Sequence, residues 1–190
     1  WEKKQISLFS IILFPISFLI ILINYFKSFF IRSEKFPISI ICIGNIYIGG
    51  TGKTPLCIKL FNILKKLNKK SVFIRKKYAS FQDEIKLLKL TGPLYENLQR
   101  KKAVDEAIQN KYEVAILDDG FQDYSIKKDL SIICFNEKQW IGNGLTIPSG
   151  PLREKLSNLI RANCVIINGK KNINIEEKIK EKNNEIKIFY

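Results

Sequence analysis

Residues 44–55 read GNIYIGGTGKTP, and the apolar run FPISIICI at 36–43 stands directly before them. Glycines let backbone N–H groups crowd around an anion, a lysine adds a point charge, and a neighbouring hydroxyl can ligate Mg²⁺. Gly49, Gly50 and Gly52 supply the open backbone with Thr51 among them, Lys53 brings the charge and Thr54 the hydroxyl. The β-branched Ile38, Ile40, Ile41 and Ile43 lead in and the amphipathic PLCIKLFNILKKL leads out, so the stretch reads as strand, phosphate-binding loop and helix N-terminus. The usual pattern G-x-x-x-x-G-K-[ST] asks for glycine at position 47, where this chain has Tyr47; the match is to the shorter GGTGKT. A glycine-rich turn without chemistry is the bland alternative, and Gly-Lys-Thr after a buried strand argues against it.

Outward from this loop, short apolar runs alternate with amphipathic stretches. SVFI (71–74), VAIL (114–117), LSIICF (130–135) and CVIIN (164–168) read as buried strands, with EIKIFY (185–190) as a candidate last one. Helices are expected over 53–67, 101–111, 153–161 and 175–183. The alternation predicts an α/β fold, a P-loop NTPase-like, mostly parallel sheet flanked by helices.

Ligands of such sheets bind beyond the carboxyl ends of the strands. VAILDDGFQD places Asp118 and Asp119 there, where a carboxylate can hold Mg²⁺ directly or through water. Asp-Asp-Gly is also a common turn; beside a phosphate loop the metal site is the better reading. In GNGLTIPSGPLREKL (142–156) the glycines and prolines mark an ordered loop, and Arg153 with Glu154 opens the next helix. Arg153 is a bidentate phosphate donor or a surface pair with Glu154. The closing KKNINIEEKIKEKNNEIK (170–187) reads as a solvated helix without a site.

From Ile6 to Phe26 the chain runs ISLFSIILFPISFLIILINYF without a charge, flanked by Lys3 and Lys4 and by Lys27, Arg32 and Lys35. A bilayer core asks for about 20 apolar residues in a helix, and flanking cations sit among head groups. A signal peptide has a shorter core and a small-residue cleavage site, which is not seen here; a buried core helix is the structural alternative. Pro15 permits a kink, and the choice between spanning and lying in the interface stays open. Residues 1–35 are therefore expected to be a membrane anchor and linker, and 36–190 the P-loop domain.

Thirty-two Lys and Arg against 18 acidic residues give +14 at neutral pH, which suits an anionic partner, although part of the excess is a solvated lysine surface. The cysteines at 42, 57, 134 and 164 form no C-x-x-C pair, and the chain has no histidine; no zinc site is expected, and a reducing compartment fits best. The 13 phenylalanines gather in the N-terminal segment and in strand-like runs rather than interleaving with lysines, so no nucleic-acid partner is expected. The chain begins at Trp1 and lacks methionine, and is expected to be incomplete.

Taken together, GNIYIGGTGKTPL, LDDGFQD, and GNGLTIPSGPLRE followed by RANCVIING resemble, in order and spacing, the tetraacyldisaccharide 4'-kinases of lipid A biosynthesis. The resemblance covers nearly the whole chain. It implies ATP and Mg²⁺ as cofactors and phosphorylation of the 4'-hydroxyl of a tetraacylated glucosamine disaccharide 1-phosphate, at the cytoplasmic face of the inner membrane. It further implies a lipid A disaccharide precursor and anionic lipid as partners; a monomer is the expected state. By position, Lys53 and Thr54 match the loop lysine and the Mg²⁺-ligating hydroxyl, and Asp118 and Asp119 match the family's Asp-Asp, with Asp119 expected to take part in catalysis. Asp83, in FQDE, resembles an aspartate that helps activate the sugar hydroxyl as part of an Asp-His dyad. Arg100 matches a basic residue ahead of the helix of that region, and Arg153 and Glu154 the P-x-G-P-L-R-E block, as substrate or phosphate contacts.

The departures are specific. The family's S-R-G-Y-G is IRKKY here, keeping Arg75 and at most Tyr78; a usual histidine is Asp123; and no residue supplies the dyad histidine. A missing C-terminal portion accounts for the last, and a catalytically impaired relative is the alternative. GGTGKT also resembles the loop of MinD- and ParA-like ATPase switches, but their signature lysine is replaced by Ile48.

Overall fold

The computed structural model describes residues 6–77 and 82–190, so Lys3, Lys4 and Tyr78 lie outside the described residues. In chain order the elements are α1 (Leu8–Phe30), β1 (Ser39–Gly44), α2 (Lys53–Lys66), β2 (Ser71–Lys76), α3 (Gln82–Thr91), β3 (Leu94–Asn97), α4 (Arg100–Gln109) and β4 (Val114–Asp118). They continue with β5 (Leu130–Asn136), a 3₁₀ turn (Leu156–Arg161), β6 (Cys164–Asn168), α5 (Ile173–Lys180) and β7 (Lys187–Phe189). The strands form one sheet in the order β3-β2-β4-β1-β5-β6-β7. The pairs β1–β4, β2–β3, β2–β4 and β6–β7 are parallel, as expected of strands joined by helical crossovers.

Every apolar run read as a strand is one. Two elements escape the sequence reading: α3, and β3, whose four residues are all half-buried and so carry no apolar run. The helix expected over 153–161 starts at Leu156 and is 3₁₀. Leu152 bridges Tyr47, and the Arg153 N–H is held by Ile46 O at 2.7 Å, so the chain is still extended there.

By its contacts the chain groups into two units. The first takes Ser33–Gly44 and Gly52–Ile132. Its sheet residues Phe73, Ile74, Ile116 and Leu117 are fully buried, and Phe61 of α2 lies against Phe73 with ring centroids 4.8 Å apart. Each such side chain contributes about 1.5–3 kcal/mol through burial. On α4, Ala103, Val104 and Ala107 form the inward face.

The second unit takes Trp1–Arg32, Asn45–Thr51 and Ile133–Tyr190. Phe135 packs on Trp140 at 4.8 Å, β6 buries Val165 and Ile167, and α5 buries Ile175 and Ile179. Asn172 caps α5, accepting from the Ile175 N–H, which starts that helix two residues earlier than the sequence pattern suggests.

In this unit α1 shelters one stripe, Ser10, Leu13, Ser17, Ile20, Ile21 and Asn24, at helical spacing. Its fully buried members are the serines. The apolar side chains around the rest of the cylinder are exposed, Phe9 at 77 % and Phe29 at 78 % among them.

Candidate active site

β1 carries the chain out of the sheet core into the glycine loop. Gly49 has φ 120° and Gly52 φ 89°, left-handed values that a side chain disfavours and that turn successive amides the same way. Gly52 is the N-cap of α2, so Lys53 and Thr54 occupy its first turn, where unpaired backbone N–H groups and the helix dipole attract an anion. Asn45 closes the loop from within, donating from Nδ2 to Thr51 Oγ1 at 3.1 Å and to Gly49 O at 3.3 Å. Tyr47, the departure from the longer motif, is 3 % exposed and paired antiparallel with Leu152. It belongs to a short ladder before the loop; the loop proper is Gly49–Gly52.

The carboxylates meet the lysine where the sequence predicts. β1 and β4 are in register with Ile43 opposite Asp118, and the Asp119 N–H donates to Ile43 O at 2.9 Å. Both acids thus stand at the strand end from which the loop springs. Asp119 has φ 59°, a strained value for a residue other than glycine that Asp tolerates better than most and that recurs at functional sites. Its Oδ1 lies 3.7 Å from Lys53 Nζ.

Asp118 is 1 % exposed and accepts from Arg75 Nη1 at 3.0 Å. Arg75 also donates from Nη2 to Glu84 Oε2 at 2.6 Å. Burial pushes the Asp118 carboxyl up, against the pull of the Arg75 charge. Burial alone would lower the Arg75 guanidinium, but Asp118 and Glu84 outweigh it and keep it firmly charged. Arg75 was legible only as a surviving motif residue; its place as the partner of Asp118 was not. An arginine ending the apolar strand SVFIR was the available signal, because a buried guanidinium needs an acid.

Asp83 is exposed in the first turn of α3, next to Glu84. Arg100 is buried and turned inward, donating to Asp119 O at 2.6 Å and Asp123 Oδ2 at 3.2 Å. Burial works to raise the Asp123 carboxyl, but hydrogen bonds from Ser125 and the Arg100 charge hold it below the usual carboxylate range. Asp123 thus anchors Arg100.

In the other unit, Glu154 is 4 % exposed and bound to Asn158 and Arg161. Arg153 is half-buried. The segment carrying them runs alongside the entry to the glycine loop, with the Ile48 N–H donating to Pro151 O at 2.8 Å and the Arg153 N–H to Ile46 O at 2.7 Å.

A family model described as Tetraacyldisaccharide-1-P 4'-kinase matches residues 9–89 and 72–189. A tetraacyldisaccharide 4'-kinase of Pelagibacter ubique is 50 % identical over 99 % of this chain and 60 % of its own length. One of Rickettsia bellii is 32 % identical over 81 % of this chain and 52 % of its own. A crystal structure of LpxK from Aquifex aeolicus in complex with ATP superposes with a TM-score of 0.72 at 27 % identity, covering 84 % of this chain and 59 % of that one. HypB from Helicobacter pylori, at 13 % identity and a TM-score of 0.59, shares the fold alone. The chain spans about 60 % or less of the length of these relatives. A family model that matches almost the whole chain and a relative 50 % identical over 99 % of it lead to one conclusion: the chain belongs to the tetraacyldisaccharide-1-P 4'-kinase family.

Proposed function

We propose that this chain is the nucleotide-binding part of an ATP-dependent lipid kinase that phosphorylates the 4'-hydroxyl of a tetraacylated glucosamine disaccharide 1-phosphate. The observation that carries the reading is the meeting of Lys53 with Asp119 at 3.7 Å, beside the buried Asp118–Arg75 pair. Phosphoryl transfer asks a protein mainly for positioning and for charge against the phosphate oxygens. Gly49–Thr54 supplies amides, an ammonium and a hydroxyl for that purpose.

Thr54, Asp118 and Asp119 are hard oxygen donors of the kind Mg²⁺ takes. Among the described residues no three His, Cys, Asp or Glu side chains converge, which suits a cation held mostly by water and phosphate with one or two carboxylates. When bound, Mg²⁺ would neutralise charge developing on the phosphates. Arg75 keeps Asp118 in place, and through Glu84 it ties down the first turn of α3 that carries Asp83. Asp83 is the proposed group that orients the acceptor hydroxyl or accepts its proton. Arg153 is a proposed substrate or phosphate contact; Arg100 is held by Asp119 O and Asp123, and Glu154 by Asn158 and Arg161. Transfer of labelled γ-phosphate by the full-length protein, lost in Lys53→Ala, tests the proposal; nucleotide binding without transfer to the lipid overturns it.

Residues 1–35 serve as the membrane-associated segment and 36–190 as the catalytic body, at the cytoplasmic, anionic face of the inner membrane. The helix α1 is long and apolar enough to cross a bilayer, yet it lies in the interface. Ser17, near its middle, is hydrogen-bonded to the backbone of Thr146 and Ser149. An upright helix would carry that loop to the hydrocarbon centre, where irregular backbone facing lipid is not tolerated. Lying flat, α1 turns its serines to the protein and its phenylalanines to the acyl chains. Cysteines placed at Ser7 and Ser28 in the vesicle-bound protein should both react with a membrane-impermeant maleimide from outside; protection of one end would show a spanning helix.

A further inference from the structure

In water a docked helix buries its apolar face, and α1 does the reverse. Ser10 is 2 % and Ser17 1 % exposed, against apolar side chains open on the other faces. The Ser17 hydroxyl donates to Thr146 O at 3.0 Å, accepts from the Ser149 N–H at 3.0 Å and shares a 2.8 Å hydrogen bond with Ser149 Oγ. Seven residues earlier, Ser10 Oγ accepts from Asn143 Nδ2 at 3.3 Å. Asn143 in turn donates to Ser149 O at 2.9 Å and accepts from the Leu145 N–H at 3.1 Å. There is no room for slack, since a Cβ on Gly150 would stand 2.2 Å from Asn143 Oδ1 and 2.4 Å from Leu145 O.

The loop that receives the serines is also the one that braces the glycine loop. Two residues beyond Ser149, Pro151 O takes the Ile48 N–H at 2.8 Å; Leu152 pairs with Tyr47, and the Arg153 N–H reaches Ile46 O at 2.7 Å. Ile48 is followed by Gly49, whose carbonyl Asn45 holds. A run of directed, largely buried hydrogen bonds therefore leads from the lipid-facing helix to the backbone that would wrap phosphate.

We propose that Ser17 is a positioning residue for nucleotide binding: through Ser149 and the Pro151–Arg153 strap it transmits the seating of α1 in lipid to the conformation of Asn45–Gly49. The membrane helix then has a second task beyond holding the protein near its substrate. The proposal rests on the reading of Gly49–Thr54 as the ATP loop. Buried hydrogen bonds suit it, because a donor or acceptor that loses its partner there must find another arrangement and moves its segment with it.

The test uses the full-length protein with Ser17→Val and Ser17→Thr, two side chains of nearly equal volume, larger than serine, of which only threonine keeps the hydroxyl. Ser17→Val should float with anionic vesicles like the wild type and raise KM for ATP about tenfold, with KM for the lipid acceptor changed less than about twofold. Ser17→Thr should restore the ATP value. An unchanged KM for ATP in a folded, vesicle-bound Ser17→Val protein, or equal rises in both KM values, overturns the proposal. Hydrogen exchange on the unmodified protein covers the case in which Ser17→Val does not fold. Vesicles should slow exchange of the Ile48 and Arg153 amides by tenfold or more relative to detergent-free, lipid-free protein, and identical rates overturn the proposal. If the wild type fails to bind ATP at all while vesicles still protect those amides, the ATP reading has failed and the coupling has not.

Discussion

Arg75 Nη1 stands 3.0 Å from Asp118 Oδ2, and the two side chains are 6 % and 1 % exposed. A pair this deep costs desolvation of both ions, so its presence adds little net stability, whereas removing one partner strands the other. Arg75→Ala should destabilise the protein by about 3–5 kcal/mol in urea titrations. It should also drive the Asp118 carboxyl further up, because the opposing charge is gone, moving the acidic limb of the activity profile to higher pH. Wild-type stability in Arg75→Ala would show that the pair does not form.

Asp123 gives the opposite sign. Its carboxyl is held down in the folded protein, so its contribution to stability is complete above the unfolded aspartate value of about 3.9 and disappears as pH falls through the lower folded value. Asp123→Asn should therefore cost on the order of 1–3 kcal/mol at pH 6 and progressively less below about pH 4. A difference independent of pH would remove the Arg100–Asp123 pair from the explanation.

The cysteines should be quiet. Burial pushes the Cys42 thiol up to about 11, and Cys57 and Cys134 are buried as well. At pH 8 iodoacetamide should modify Cys164, which is half-buried, ahead of the others, with those three reacting only at the rate of unfolding. Fast modification of Cys42 in the native protein would contradict the packing around β1.

The strap makes a prediction independent of lipid. Gly150→Ala puts a methyl group where Asn143 and Leu145 already stand, so it should destabilise the protein by about 1–3 kcal/mol through overpacking. Differential scanning calorimetry reads this directly, and an unchanged Tm would mean that the loop has room the contacts do not show.

The chemistry-bearing parts were legible where chemistry restricts residue type. Only glycine suits Gly52 at φ 89°, and only a lysine at the first turn of α2 brings its charge to Asp119, so GGTGKT and DDG declare themselves. Contacts between residues far apart in sequence did not. The Arg75–Asp118 pair joins positions 43 residues apart. Nothing local to the apolar run marks Asn143 as the partner of Ser10 or Thr146 and Ser149 as those of Ser17, although the seven-residue spacing of Ser10 and Ser17 is a clue to one face. β3 is an edge strand without apolar alternation, and the 3₁₀ turn is delayed by pairing with residues 46–48; neither cause is local.

The most direct measurement is the product formed by the full-length protein from ATP and a tetraacyl disaccharide 1-phosphate in detergent micelles, with Lys53→Ala alongside. The predicted result is a new phosphate monoester on the 4' oxygen, located by NMR, with the rate in Lys53→Ala lower by about 100-fold or more. ATP hydrolysis with no phosphate on the disaccharide, or transfer undiminished in Lys53→Ala, would contradict it.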